Sequence, residues 1–240
     1  MISFLGNLLG PILRAVYDFV SQIGTEPEYI SYYAIAIIIT SVIFKLILLP
    51  ISFKQTASTN KMQEIQPLLK EIQTKYKDDP QTLQAKMQAL YKEHNYNPAS
   101  GCLIMLIQMP IIIAFFTVFR EPASYAFSDP GMYESMSKVF FWIPNLENPD
   151  PFLWGMPLLA AITTYLQSKT MSLGTASAKK SDDDANAKTQ NMMTYMMPVM
   201  IFFFARNFPA GLALYWVISN SFTALQQLIS KRGLIKAKEV

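Results

Sequence analysis

Acidic residues are missing from the apolar stretches of this 240-residue chain, and cysteine, histidine and glycine are scarce throughout it. A single Cys excludes an intramolecular disulfide, and 9 Gly beside 15 Pro exclude a collagen-like chain. The chain has one His, no cluster with metal-ligand spacing and no Gly-rich motif of the phosphate-binding kind. We therefore predict no catalytic residue, no metal site and no cofactor.

Five mostly apolar stretches without Asp or Glu predict five transmembrane helices, because a bilayer core needs about 20 apolar helical residues. Average values conceal these stretches, since the chain is 51% hydrophobic with a mean hydropathy of only +0.21. The second stretch is apolar nearly all the way round, whereas a soluble helix would carry a polar face. The five stretches are 31–49, 102–119, 152–167, 192–205 and 210–229.

We therefore predict an all-α membrane protein with five transmembrane helices, an N-terminal interfacial amphipathic helix and a cytoplasmic helical hairpin. With their polar flanks, the transmembrane helices occupy 30–52, 100–120, 152–171, 191–206 and 210–230. The other segments are an outer-surface amphipathic helix at 1–29, the hairpin at 53–99, an extracytoplasmic loop at 121–151, a flexible cytoplasmic linker at 172–190 and a basic cytoplasmic tail at 231–240.

Lys and Arg residues are strongly biased to one side of this predicted topology. Segments 53–99, 169–190 and 231–240 carry seven, four and four of them, which is 15 of the 20 in the chain. Since cytoplasmic loops of membrane proteins are enriched in Lys and Arg, the N-terminus is predicted outside and the C-terminus in the cytoplasm. The predicted location is the bacterial plasma membrane.

The first 20 residues place apolar side chains at helical spacing, with Arg14 and Asp18 elsewhere on the wheel. A cleaved signal peptide would begin with basic residues and end at a small-residue site, and neither is present. We predict an amphipathic helix on the outer membrane surface, with a frayed terminus as the alternative. Cys102 follows a charged segment, which favours a small buried residue over a lipidation site. The run 182–184, three Asp in the linker, is expected to be a solvated loop.

Between the first two transmembrane helices, apolar residues at intervals of three and four predict two short helices that pack through narrow seams. Asp79 is placed to cap the second helix, and Pro80 suits its first turn. At about 45 residues the segment is long for a passive connector, which is the alternative to a binding role. Candidate residues for recruiting other chains are Lys61, Met62 and Met87.

Lys45 is the one basic residue that lies within the five apolar stretches. A charge at mid-helix costs about 2.5–3.5 kcal/mol on insertion scales, so such residues usually face a polar cavity or a partner. Snorkelling to the surface is the alternative. Lys54 lies nine residues further on, about 13 Å along the axis, so Lys45 is deep. The polar residues expected to line a hydrophilic groove with Lys45 are Thr40, Ser41, Gln108, Thr163, Gln167, Tyr215, Trp216 and Asn220.

The residues of the predicted transmembrane helices give little support to an enzymatic or a transport function. A proton- or cation-coupled transporter normally uses intramembrane carboxylates, and an intramembrane protease needs a nucleophile with a base or paired carboxylates. A groove with an unpaired positive charge instead favours binding an acidic or polar segment of another chain. A small-solute channel or transporter is the main alternative, and a structural scaffold is the third.

Several short motifs, in order and with compatible spacing over residues 8–233, make the chain resemble the YidC family of membrane protein insertases. Any single motif would be weak, but their combination is specific. The residues that carry the resemblance are Leu49-Pro50, Lys54-Gln55, Lys61-Met62-Gln63, Gln66-Pro67, Tyr91-Lys92, Asn97-Pro98, Gly101-Cys102, Gln108-Met109-Pro110-Ile111, Met197-Pro198, Phe208-Pro209-Ala210-Gly211-Leu212, Leu214-Tyr215 and Ser219-Asn220.

The resemblance implies five helices around a water-filled groove that is closed toward the outside and open to cytoplasm and lipid. It implies a basic residue, usually Arg, that engages the polar part of the guest; here that position is Lys45, which keeps the charge but loses the planar donor geometry of Arg. Gln167 and Trp216 match groove positions. Implied partners are nascent membrane proteins, membrane lipid, the ribosome in transient contact, and the Sec translocon; no specific nucleic acid is expected.

Overall fold

A computed structural model describes the backbone of residues 2–97, 99–172 and 185–238, and the side chains of 3–97, 109–171 and 194–230. The described part is helical, apart from two isolated β-bridges at Ile30–Phe140 and Phe140–Ile143. The helices are α1 (Ile2–Ser21), α2 (Tyr32–Ile47), α3 (Leu49–Lys75), α4 (Pro80–Glu93), α5 (Ala99–Arg120), α6 (Pro122–Tyr125), α7 (Met132–Ser135), α8 (Met156–Ser172), α9 (Ala185–Asn207) and α10 (Ala210–Lys238).

Helix α10 lies at the centre of the bundle, where it packs against α2 and α8, while α9 packs against the other side of α8. Helix α1 covers α2 and α5. The main hydrophobic core fills the space between these helices, and its largest fully buried side chains include Tyr33, Phe115 and Tyr215. Phe115 stacks on Tyr215 with ring centroids 4.0 Å apart, which joins α5 to α10.

The segment between α5 and α8 closes the end of the bundle at which α2, α8 and α10 begin. The Ser31 N–H donates to the Val139 carbonyl at 2.9 Å, and the Gly211 N–H donates to the Leu146 carbonyl at 2.9 Å. The carboxylate of Asp150, 8% exposed, caps α8 by accepting from the Met156 N–H at 2.6 Å. These bonds attach one loop to the N-terminal ends of three helices.

Helix α1 is docked on the bundle through one face only. Leu9 and Leu13 are buried, and a side chain at Gly10 would overlap the Tyr125 carbonyl of α6. Arg14 pairs with Asp18 and, at 2.8 Å, with Asp129 of the closing loop. The opposite face exposes large apolar side chains at Phe4, Leu8 and Phe19.

Helices α3 and α4 form an antiparallel hairpin with a small core of its own. Ile65 and Leu69 of α3 and Leu90 of α4 are buried, and Met62, Ile72, Met87, Tyr91 and Tyr96 pack around them. The Asp79 carboxylate accepts from the Thr82 N–H at 3.1 Å, and Pro80 occupies the first turn of α4. The structure therefore places the residues of the predicted seams against one another.

Helix ends do not all coincide with the ends of the predicted segments: α10 continues to Lys238, past the predicted start of the tail at 231, and α3 and α9 also cross predicted boundaries. Helix α3 runs without interruption from Leu49 to Lys75, across the expected boundary at 52–53, and the break instead lies at Leu48, where α2 and α3 meet at 62°. Helix α9 starts at Ala185, inside the segment expected to be a linker; the run 182–184 lies outside the described residues.

By length and composition, none of the described helices taken singly is long and apolar enough to cross a bilayer. Helices α2 and α3 pass that test jointly across their bend, and Met109–Arg120 is a shorter apolar helix.

Candidate functional site

A cavity lies where α2 bends into α3, with α5, α8 and α10 forming its other walls. Its volume is about 80 Å³, several times the roughly 10–15 Å³ that one water needs. Most of its side chains are polar but uncharged. The lining residues are Lys45, Leu48, Ile51, Ser52, Gln55, Thr56, Thr59, Asn60, Ile111, Gln167, Thr170, Met171, Thr223, Gln226 and Gln227.

Lys45 is the charged residue of this wall. It lies 13 residues after Tyr32, which puts it about 20 Å along α2 from the closed end of the bundle. Its Nζ donates to the Thr223 Oγ1 of α10 at 3.1 Å. None of the described residues that line the cavity is Asp or Glu, so this wall supplies no carboxylate counter-ion for the ammonium.

Two amide groups of the wall are buried without a hydrogen-bond partner among the described residues. They are the Asn60 Nδ2 on α3 and the Gln226 Nε2 on α10. Gln226 is only 8% exposed. Buried polar atoms in proteins are nearly always paired, so two unpaired donors in one cavity wall are unusual.

Polar contacts join α8 to α10 both in the cavity wall and beyond it. The Thr170 Oγ1 donates to the Gln227 Oε1 at 2.7 Å, and the Asn220 Nδ2 donates to the Thr164 Oγ1 at 2.8 Å. On the other side, the Gln63 side chain of α3 donates to the Met171 carbonyl at the end of α8. The helices around the cavity are therefore held together by hydrogen bonds as well as by apolar packing.

Of the groove residues predicted from the sequence, the structure brings Lys45 and Gln167 together at the cavity. Thr40 and Ser41 are buried within α2, and the Ser41 Oγ donates to the Ile37 carbonyl at 2.6 Å. Thr163 likewise donates to carbonyls of its own helix. Tyr215 lies in the hydrophobic core, and Trp216 packs against that core. Asn220 lies in the contact between α8 and α10. The side chain of Gln108 lies outside the described residues.

The contribution of α3 to the wall of the cavity was not predicted from the sequence. Ser52, Gln55, Thr56, Thr59 and Asn60 all line the cavity, although they fell at or beyond the predicted end of the first transmembrane helix. Their spacing of three and four residues puts them on one helical face, and this polar stripe directly after Lys45 was the available signal.

The three residues proposed for recruiting other chains have partners within the hairpin. Lys61 donates to the Asn95 carbonyl at 3.1 Å, next to the end of α4. Met62 and Met87 pack against the hairpin core. Met87 also borders a shallow surface depression with Leu83 and Tyr91.

Comparisons with known proteins point to one family. The sequence profile of the family described as "60Kd inner membrane protein" matches residues 26–238. The chain is 36% identical to the membrane protein insertase YidC of Clostridium tetani, covering 96% of this chain and 94% of that protein. It is 40% identical to the insertase of the same name from Clostridium perfringens, with 92% and 87% covered. A solved structure titled as an active YidC insertase with its first transmembrane domain resolved has a similar fold, with a TM-score of 0.56 and 24% identity; the match covers 93% of this chain and 45% of that one.

Proposed function

This chain belongs to the 60Kd inner membrane protein family, and on that basis we propose that it is a membrane protein insertase that receives nascent membrane proteins and releases them into lipid. The role is one of binding and release and requires no catalytic residue. Guest chains and membrane lipid are the partners that this function entails.

We propose further that the cavity around Lys45 is the place where the guest's polar flank enters the membrane. The observation that carries this proposal is an ammonium group in a wall of uncharged polar side chains with no carboxylate among the described residues. Carrying a polar or charged group through hydrocarbon costs several kcal/mol. A hydrated cavity shortens the apolar path, and burial of the guest helix in lipid then drives its release.

For the topology we propose five transmembrane helices, with α1 on the outer surface and the C-terminus in the cytoplasm. Exposed apolar side chains on α8, α9 and α10 support lipid contact, among them Leu166, Phe203 and Ile229. The exposed apolar stripe of α1 supports its place at the interface. The hairpin α3–α4 would recruit guest chains, and transient ribosome contact and work beside the Sec translocon belong to the same proposal.

Site-specific photo-crosslinking of a stalled single-span guest tests the place of entry. A photoreactive residue at Gln167 is expected to capture the polar flank of the guest. Probes at Thr163 and Trp216, predicted from the sequence but placed outside the cavity, are expected to give weaker capture. Crosslinks confined to a probe at Phe19 on the exposed face of α1 would contradict the cavity as the entry site.

A further inference from the structure

Three hydrogen-bond donors from three different helices line the Lys45 cavity. They are the ammonium of Lys45 on α2, the amide of Asn60 on α3 and the amide of Gln226 on α10. Within the described residues, the Asn60 Nδ2 and the Gln226 Nε2 are buried and make no hydrogen bond. The cavity thus contains more donors than the surrounding protein satisfies.

Two acceptors of the same wall are already engaged. The Thr223 Oγ1 accepts from Lys45 and donates its own proton to the Ser219 carbonyl at 2.8 Å. The Gln227 Oε1 accepts from Thr170 at 2.7 Å. With no carboxylate among the described lining residues, the molecule that best complements this wall is one rich in acceptor oxygens.

We propose that Asn60 and Gln226 are specificity-determining residues, whose amide groups donate to side-chain oxygens in the polar flank of the guest. This inference rests on the proposed function. Lys45 recognises the negative charge of a guest carboxylate, whereas the two amides recognise its oxygens and also those of an uncharged amide. A Lys flank offers donors only, so it cannot pair with the two unpaired N–H groups, and its charge is repelled by the Lys45 ammonium.

Recognition of charge by Lys45 and hydrogen bonding by the two amides predict different effects on different guests. A guest Asp uses both Lys45 and the amides, a guest Asn uses chiefly the amides, and a guest Leu uses neither. Loss of one neutral hydrogen bond changes an equilibrium by about two- to tenfold. The ratio of variant to wild-type insertion for each guest therefore identifies what each residue recognises.

The test uses proteoliposomes of the full chain and three single-span guests that differ only by Asp, Asn or Leu at one flank position. Gln226→Met and Asn60→Leu, which keep the net charge and approximate volume, are each expected to lower insertion of the Asp and Asn guests by about two- to tenfold. Insertion of the Leu guest should stay unchanged. The matched control is Gln22→Met, an exposed residue in the turn after α1, outside both the cavity and the hairpin, with no effect on any guest.

A variant that gains function distinguishes a specific effect on guest recognition from poor folding, because a poorly folded protein would not insert any guest better. Gln226→Glu places a carboxylate in the cavity, so a fourth guest with a Lys flank is expected to insert at least twofold better than with wild type. The control Gln22→Glu adds the same charge outside the cavity and the hairpin and should give no gain. An equal loss for all guests, or no loss with either neutral variant, would overturn the inference. A wild-type protein that inserts none of the guests would instead contradict the proposed function.

Discussion

At the scale of single residues, the ammonium groups of two lysines have very different surroundings. Lys138 in the closing loop, with a side chain 9% exposed, pairs with Glu147 at 3.1 Å and lies over the Tyr133 ring with its Nζ 3.8 Å from the centroid. Lys45 has a hydroxyl as its partner and lines a cavity whose side chains are mostly polar and uncharged. Lys138 is neutralised within the fold, whereas Lys45 has no carboxylate partner in the described cavity wall, and we propose that its charge serves an incoming group.

The Lys138–Glu147 pair predicts an acid-sensitive closed end. Although burial alone would raise the pKa of Glu147, the nearby Tyr133 hydroxyl and hydrogen bonds from Asn145 and Lys138 hold it below the ordinary value. A carboxylate with a lowered pKa stabilises the fold above its unfolded pKa of about 4.3, and that stability is lost as the pH falls through the folded pKa. Wild-type protein in detergent should therefore show a falling melting temperature below about pH 4.

Glu147→Gln should lower the melting temperature at neutral pH and flatten this acid decline, because the amide does not titrate. Glu134→Gln, an exposed carboxyl on the same loop, serves as the control and should keep the wild-type profile. An acid decline of full size in Glu147→Gln would show that other groups cause it.

At the scale of secondary-structure elements, α3 serves both the cavity and the hairpin. Its first half lines the cavity from Ser52 to Asn60, and its second half packs against α4. The bond from Gln63 to the Met171 carbonyl ties the middle of α3 to the end of α8. A partner that moves the hairpin would therefore also move one wall of the cavity.

Two adjacent leucines in α3 test whether the hairpin is held by its own core. Leu69 is 1% exposed and Leu68 is 38% exposed. Leu69→Ala should lower the free energy of hairpin opening by about 2–5 kcal/mol, the usual range for a buried leucine, and Leu68→Ala should change it far less. Hydrogen–deuterium exchange of the α3 and α4 amides measures this directly. Equal loss of protection in both variants would contradict the packing described above.

At the scale of the whole molecule, the two ends of the bundle differ in packing and polarity. One end is closed by a loop that bonds to α2, α8 and α10 and by an aromatic cluster that includes Tyr33, Phe127 and Tyr133. The other end contains the polar cavity. A guest segment that enters the cavity therefore meets a packed core before it reaches the closed end, which favours exit sideways into lipid over passage through the protein.

Features that depend on local sequence were predictable, and those that depend on packing were not. The Asp79 cap, the hairpin seams and the isolated charge of Lys45 follow from residues close together in the chain. Periodicity cannot show which polar residues turn inward, because Ser41 satisfies its hydroxyl on its own helix while Asn60 faces the cavity. The bend at Leu48, which brings α3 to the cavity, is a tertiary feature.

We propose that the charge of Lys45 draws a guest's acidic flank into the cavity. The most direct test is the insertion rate of a single-span guest with an acidic flank into proteoliposomes that hold wild-type protein, Lys45→Ala or Lys45→Arg. Loss of a charge-assisted hydrogen bond amounts to about 1.5–3 kcal/mol, so Lys45→Ala should insert this guest at least tenfold more slowly, and Lys45→Arg at close to the wild-type rate. Insertion by Lys45→Ala at the wild-type rate would contradict the account.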